Sequence, residues 1–194
     1  MVALLDHKPK QKKARVEAPT RLDLGCGQNK REGFFGIDSI KTAATDWVQD
    51  LREPWCWRLL DPIPDNSIEE VHSSHFFEHL TGPERMPFMD EMWRVMKDEA
   101  QATIIVPYYA SMRAVQDPTH AWPPVCETSF LYFNRQWREQ NGLDHYPLKC
   151  NFDFAYGYAM DGAWSLKSQE VRDFAVRQYI NVVADLHVTL TKRA

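Results

Sequence analysis

The chain has 194 residues, 44% of them hydrophobic and 12% aromatic, which suits one compact domain with a real core. The formal charge of −4 is mild and makes no general case for a polyanionic partner. No apolar run approaches the roughly 20 residues of a membrane span, and the N-terminus lacks the apolar stretch of a signal peptide, so a soluble, cytoplasmic monomer or homodimer is expected. Four cysteines, Cys26, Cys56, Cys126 and Cys150, are widely spaced. With no C-x-x-C pair to suggest zinc and no small secreted scaffold to staple, they read as reduced thiols, and no metal ligand is assigned.

Residues 1–18 carry Lys8, Lys10, Lys12, Lys13 and Arg15 and read as a flexible basic tail, leaving residues 19–194 as the domain. An arm for nucleic acid is the less favoured reading of the tail, because no aromatic or glycine interleaves the basic residues to read bases.

A first strand is expected at residues 20–24 and a second at 34–37. Only nine residues separate them, too few for a crossover helix. A third strand at 47–49 ends at Asp50 and Leu51. Pro54, Pro62, Pro64 and the run Asp65-Asn66-Ser67 then mark a loop. Residues 68–73 read as a fourth strand. Residues 83–97 place Phe88, Met89, Met92, Trp93 and Met96 at helical spacing, and 102–106 form a fifth strand.

Residues 107–151 hold eight aromatics and are read as an inserted cap. Within it Thr128 is expected to cap a helix over 129–139, with Phe130, Phe133 and Trp137 on one face. Phe152, Phe154, Tyr156 and Tyr158 alternate as in a strand, Ser168 can cap a helix to Tyr179, and 182–190 is a last strand. The order suits an α/β fold: a mostly parallel twisted sheet finished by an antiparallel strand pair, with reduced helices in its first half.

Residues 21–39, RLDLGCGQNKREGFFGIDS, run a short strand into Gly25-Cys26-Gly27 and end a second apolar stretch at Asp38. Glycines at a strand end admit close approach of a ligand, and a carboxylate after the next strand can accept bonds from ribose hydroxyls. A dinucleotide fingerprint needs a third glycine where Lys30 stands. The stretch Leu22-Asp23-Leu24-Gly25-Cys26-Gly27 instead resembles motif I of the class I, Rossmann-like S-adenosylmethionine-dependent methyltransferases. The resemblance implies that Asp23 and the backbone of Gly25, Cys26 and Gly27 hold the methionine end of S-adenosylmethionine. It assigns Asp38 to the ribose and Asp50 with Leu51 to the adenine edge.

Residues 68–80, IEEVHSSHFFEHL, resemble the fourth strand of small methyltransferases and the Glu-His-Leu that follows it. By that resemblance Ser73, Ser74 and His75 lie beside the methionine part. An oxygen or nitrogen acceptor must lose a proton, and His75, His79 and His120 are the side chains able to accept it, with His79 and His120 the catalytic candidates. Glu78 and His79 also read as a capping and packing pair, and His120 as a loop histidine bonded to backbone. The Asn-or-Asp, Pro, Pro, aromatic signature of enzymes that act on nucleotide amines is absent, since Ser74-His75-Phe76-Phe77 stands there. The acceptor is unnamed, with a small or planar molecule fitting an aromatic cap best. The rival reading is a non-catalytic Rossmann-like module whose cap binds a partner.

Overall fold

The computed structural model describes residues 18–52, 63–160 and 162–194. The basic tail and the loop prolines Pro54 and Pro62 lie outside them. Seven strands form one sheet in the order β3-β2-β1-β4-β5-β7-β6. They are β1 (Arg21–Leu24), β2 (Phe35–Asp38), β3 (Trp47–Val48), β4 (Ile68–Ser74), β5 (Met96–Pro107), β6 (Phe152–Met160) and β7 (Val183–Lys192). The first five run parallel, and β7 lies antiparallel between β5 and β6. This is the Rossmann-like α/β arrangement expected, with its antiparallel strands at the C-terminal end.

Strand β1 sits inside the sheet, with Leu22 and Leu24 fully buried. No helix forms between β1 and β2, or between β2 and β3. Side chains bonded to backbone hold these connections instead. Oδ2 of Asp23 accepts the Arg31 N–H at 2.7 Å, and Oδ2 of Asp46 accepts both the Gly36 N–H at 2.8 Å and the Lys30 ammonium at 2.6 Å. The Thr42 hydroxyl donates to the Gly27 carbonyl at 2.7 Å, and the buried Thr45 hydroxyl donates to that of Ile40 at 2.9 Å. The bonds that reach backbone groups give these connections partners that a helix would otherwise have supplied.

Helix α1 (Gly82–Val95) opens where the Glu84 carboxylate accepts the Thr81 N–H at 2.7 Å, a reciprocal cap. It buries Phe88, Met89, Met92 and Val95 on the sheet. It stops two residues earlier than its charged end suggests, because Met96 is already extended and pairs with Ile68. Strand β5 therefore begins at Met96, interrupted near Glu99, whose φ is +65°.

The segment joining β5 to β6 holds helix α2 (Met112–Gln116), a 3-10 turn over Glu127–Phe133 and helix α3 (Arg135–Gln140). The single helix expected over 129–139 is broken at Asn134. Its backbone is extended, and its side-chain oxygen accepts the Trp137 N–H at 2.8 Å, so Asn134 caps α3. Thr128 falls inside the 3-10 turn rather than at a helix start. After β6 come a single turn, α4 (Gly162–Ser165), and α5 (Gln169–Gln178), capped by Ser168 as expected.

Phe77, Phe88, Phe130 and Phe133 form an aromatic cluster, with Phe77 and Phe130 stacked at 5.6 Å between centroids. Burying a ring of this size stabilises by about 1.5–3 kcal/mol. The cluster packs the β5–β6 segment against the loop after β4.

Candidate functional site

Strands β1, β2 and β3 end side by side, and a cavity of about 450 Å³ opens there. Gly25 and Gly27, in the first turn after β1, have φ of +71° and +51°, a left-handed backbone that glycine adopts without strain. The Gly25 N–H donates to the Ile37 carbonyl at 2.8 Å, locking this turn onto β2. A Cβ at Gly27 would meet nothing within 4 Å, so its backbone faces open space.

Asp38 ends β2 and lines the cavity. Its Oδ2 accepts the Gly27 N–H and its Oδ1 the Ile40 N–H, both at 2.8 Å. Each carboxylate oxygen has a second lone pair, so two acceptor directions remain for a ligand. Asp50 also lines the cavity, but Arg52 encloses it: the guanidinium meets Oδ1 at 2.9 Å and Oδ2 at 2.5 Å. That pairing holds the Asp50 carboxyl below the usual carboxylate range.

Gly25, Gly27, Asp38, Asp50, Leu51, His75 and His79, all expected from the sequence, line one cavity. Asp23, Cys26 and Ser74 do not. Asp23 is only 2% exposed, with one oxygen on Arg31 and the other 2.8 Å from Nδ1 of His72. It braces the turn from below. Cys26 is buried, and burial, reinforced by the Asp23 and Asp38 carboxylates, pushes its thiol pKa up, so it stays protonated. Lining residues that sequence reasoning passed over are Ser39, Ile40, Gln49, Arg52, Phe76 and Thr119. Ile40, an apolar side chain 67% exposed two residues after Asp38, was the one with a readable signal.

His75 follows β4 in the left-handed region, with φ of +55°. The Glu78 carboxylate, 3.3 Å from its Nδ1, raises its pKa against the opposing effect of partial burial. His79 lies in the next turn (Phe77–His79), and its Nδ1 faces the Thr119 carbonyl at 3.2 Å. His120 does not line the cavity but packs edge-on against His79, their ring centroids 4.9 Å apart. The two catalytic candidates, 41 positions apart, are thus brought together. From the aromatic segment only Thr119 reaches the cavity. Phe130 and Phe133 are core, and Trp122 is 82% exposed.

No protein-family model matches the chain, and neither does any curated protein. Solved structures do. A SAM-dependent methyltransferase from Archaeoglobus fulgidus is 19% identical, with a TM-score of 0.60 over 91% of this chain and 87% of that one. The 1,6-didemethyltoxoflavin-N1-methyltransferase of Burkholderia thailandensis, solved with 1,6-didemethyltoxoflavin and S-adenosylhomocysteine, is 10% identical, with a TM-score of 0.54 over 90% and 71%. At such identities the likeness is one of fold: the chain has the Rossmann-like fold of S-adenosylmethionine-dependent methyltransferases. No helix among the described residues is long and apolar enough to cross a membrane.

Proposed function

We propose that this protein is an S-adenosylmethionine-dependent methyltransferase acting on an oxygen or nitrogen acceptor, small or planar in shape. The observation that carries the reading is the convergence of Gly25 and Gly27, Asp38, and Asp50 with Leu51 on one cavity at three neighbouring strand ends. Ligands of open α/β sheets bind at that edge.

The residues fit the cofactor. Gly27 leaves a space that any side chain would fill, and Asp38 keeps two free acceptor directions for the paired hydroxyls of a ribose. Leu51 and Ile40 offer apolar surface for a planar base. Asp50 can meet that base only through, or after displacing, Arg52. S-adenosylmethionine, when bound, supplies an electrophilic sulfonium methyl group. Methyl transfer needs no protein nucleophile, so alignment and exclusion of water account for most of what the chain contributes. Phe76 and the His79–Thr119 contact wall the cavity on the side of β4. In this reading the acceptor stands there and His79 draws off its proton, with His120 behind it, packed on the His79 ring outside the cavity lining.

Calorimetry with S-adenosylhomocysteine tests the reading. Saturable binding that Asp38→Asn weakens supports it. No heat at millimolar ligand, or undiminished binding by the variant, refutes it.

A further inference from the structure

The turn after β4 and the loop after α2 meet at three side chains. One carboxylate oxygen of Glu78 and one ring nitrogen each of His79 and His120 lie within 4.8 Å of one another. Glu78 is 4% exposed, and neither of its carboxylate oxygens has a hydrogen-bond partner among the described residues. A buried carboxylate left so is costly. Nδ1 of His75 lies 3.3 Å from Oε1. Arg85, from α1, feels the Glu78 charge but lies over the Phe77 ring at 5.3 Å, its Nε and Nη2 equally without a hydrogen-bond partner. Beyond the His75 contact, the Glu78 carboxylate thus stands near the two imidazoles with lone pairs to spare.

Each histidine is held through its Nδ1 by a neighbouring backbone carbonyl. Nδ1 of His120 faces the Ala114 carbonyl at 3.1 Å, and Nδ1 of His79 faces the Thr119 carbonyl at 3.2 Å. A ring nitrogen hydrogen-bonded to a carbonyl oxygen carries the proton, and the Thr119 hydroxyl, which donates to Asp117, can accept from the same Nδ1–H of His79; in this tautomer Nε2 of each ring keeps its lone pair. A backbone carbonyl holding Nδ1–H is the support that ligating histidines use. The Ala121 N–H donates to the Glu78 carbonyl at 2.9 Å, pinning the two loops together beside the cluster. Nε2 of His120 also lies 3.8 Å from Oδ2 of Asp117, a second carboxylate at the rim.

We propose that Glu78, His79 and His120 form a binding site for a divalent transition-metal ion at the acceptor end of the cavity. Two imidazoles and one carboxylate suit Zn²⁺ or Fe²⁺ with coordination positions left open, whereas Mg²⁺ and Ca²⁺ prefer oxygen donors. Metal–ligand bonds of about 2.0–2.2 Å require donors now up to 4.8 Å apart to draw in by about 1 Å. Because His79 lines the cavity, an open position faces it. On the methyltransferase reading, a metal that occupied both Nε2 lone pairs would take the place of the histidines as proton acceptors, and an acceptor oxygen bound there would lose its proton to water more readily, since a metal lowers the pKa of its ligand. The binding of metal does not depend on that reading.

The test is calorimetric titration of chelator-treated protein with Zn²⁺, with Co²⁺ absorption as a second probe. One equivalent is expected to bind. Glu78→Gln and His120→Ala should each weaken Zn²⁺ binding about 100-fold or more, at least the upper end of what loss of a supporting partner costs, while S-adenosylhomocysteine affinity, which reads the Asp38 end, is unchanged. Absence of saturable Zn²⁺ binding by the parent, or equal binding by both variants, overturns the site. Zn²⁺ binding without S-adenosylhomocysteine binding would instead sink the methyltransferase reading alone. If the variants fail to fold, anomalous diffraction from Zn²⁺-soaked crystals of the parent decides: a peak coordinated by these three side chains supports the site, and any other result removes it.

Discussion

Phe76 lies against Gly25 so closely that a Cβ on Gly25 would stand 2.5 Å from both Cβ and Cγ of the phenylalanine. The glycine is required twice over, by its φ of +71° and by this contact. Gly25→Ala should therefore lower stability by about 3 kcal/mol or more, combining a left-handed alanine with an overpacked contact. Gly27→Ala, with open space around it, should cost only about 1 kcal/mol of backbone strain while crowding the ligand. Urea unfolding of both variants checks this, and equal losses of stability would contradict it.

Asp38 does two jobs, bonding the Gly27 and Ile40 N–H groups and lining the cavity. Asp38→Asn keeps the size but turns one acceptor into a donor, so we expect S-adenosylhomocysteine affinity to fall by about 1.5–3 kcal/mol, with a smaller loss of stability. Calorimetry beside thermal unfolding separates the two. A variant that loses stability but keeps its affinity would make Asp38 a loop brace only.

Burial pushes the Cys26 thiol up, with the nearby Asp23 and Asp38 carboxylates acting in the same sense, and burial likewise raises Cys150, helped by Asp90. Only the thiolate is a strong nucleophile. At about pH 8, iodoacetamide should modify the more accessible Cys126 well before Cys26 or Cys150, which should react only once the chain unfolds. Peptide mass spectrometry over a time course reads this directly, and early labelling of Cys26 would show that the turn after β1 opens.

Arg52 holds Asp50 ionised below the usual carboxylate range. A carboxyl whose native pKa is depressed contributes stability above its unfolded value, about 3.9, and loses that contribution as pH falls through the lowered native value. The pair is partly exposed, so Asp50→Asn should cost no more than about 1 kcal/mol at neutral pH, and the deficit should close in acid. Unfolding curves for parent and variant across that range test the sign. A deficit that grows on acidification would contradict it.

The first half of the fold was legible because glycines and carboxylates punctuate short strands: Gly25 and Gly27 end β1, Asp38 ends β2, and the nine-residue gap forbade a helix. The break at Asn134 was not. Phe130, Phe133 and Trp137 keep helical spacing, and only the capping bond to Trp137 shows that the chain restarts there. The site divides in the same way. Residues at strand ends could be read in order, whereas the pairing of Asp50 with Arg52 depends on rotamers. The meeting of Glu78 and His79 with His120 depends on aromatic packing between segments far apart in the chain, and periodicity carries no record of that.

The reversed place of β7 sets an order in time. Strand β6 is made before β7, yet among the described residues its only neighbour in the sheet is β7, which pairs with it from Phe152 to Met160. As the chain is synthesised, β6 lacks its strand partner until residues 183–192 have emerged. The half of the sheet that bears the glycines and Asp38 has its parallel partners available before then, so during synthesis the edge built from β5, β7 and β6 is the part left waiting for a partner.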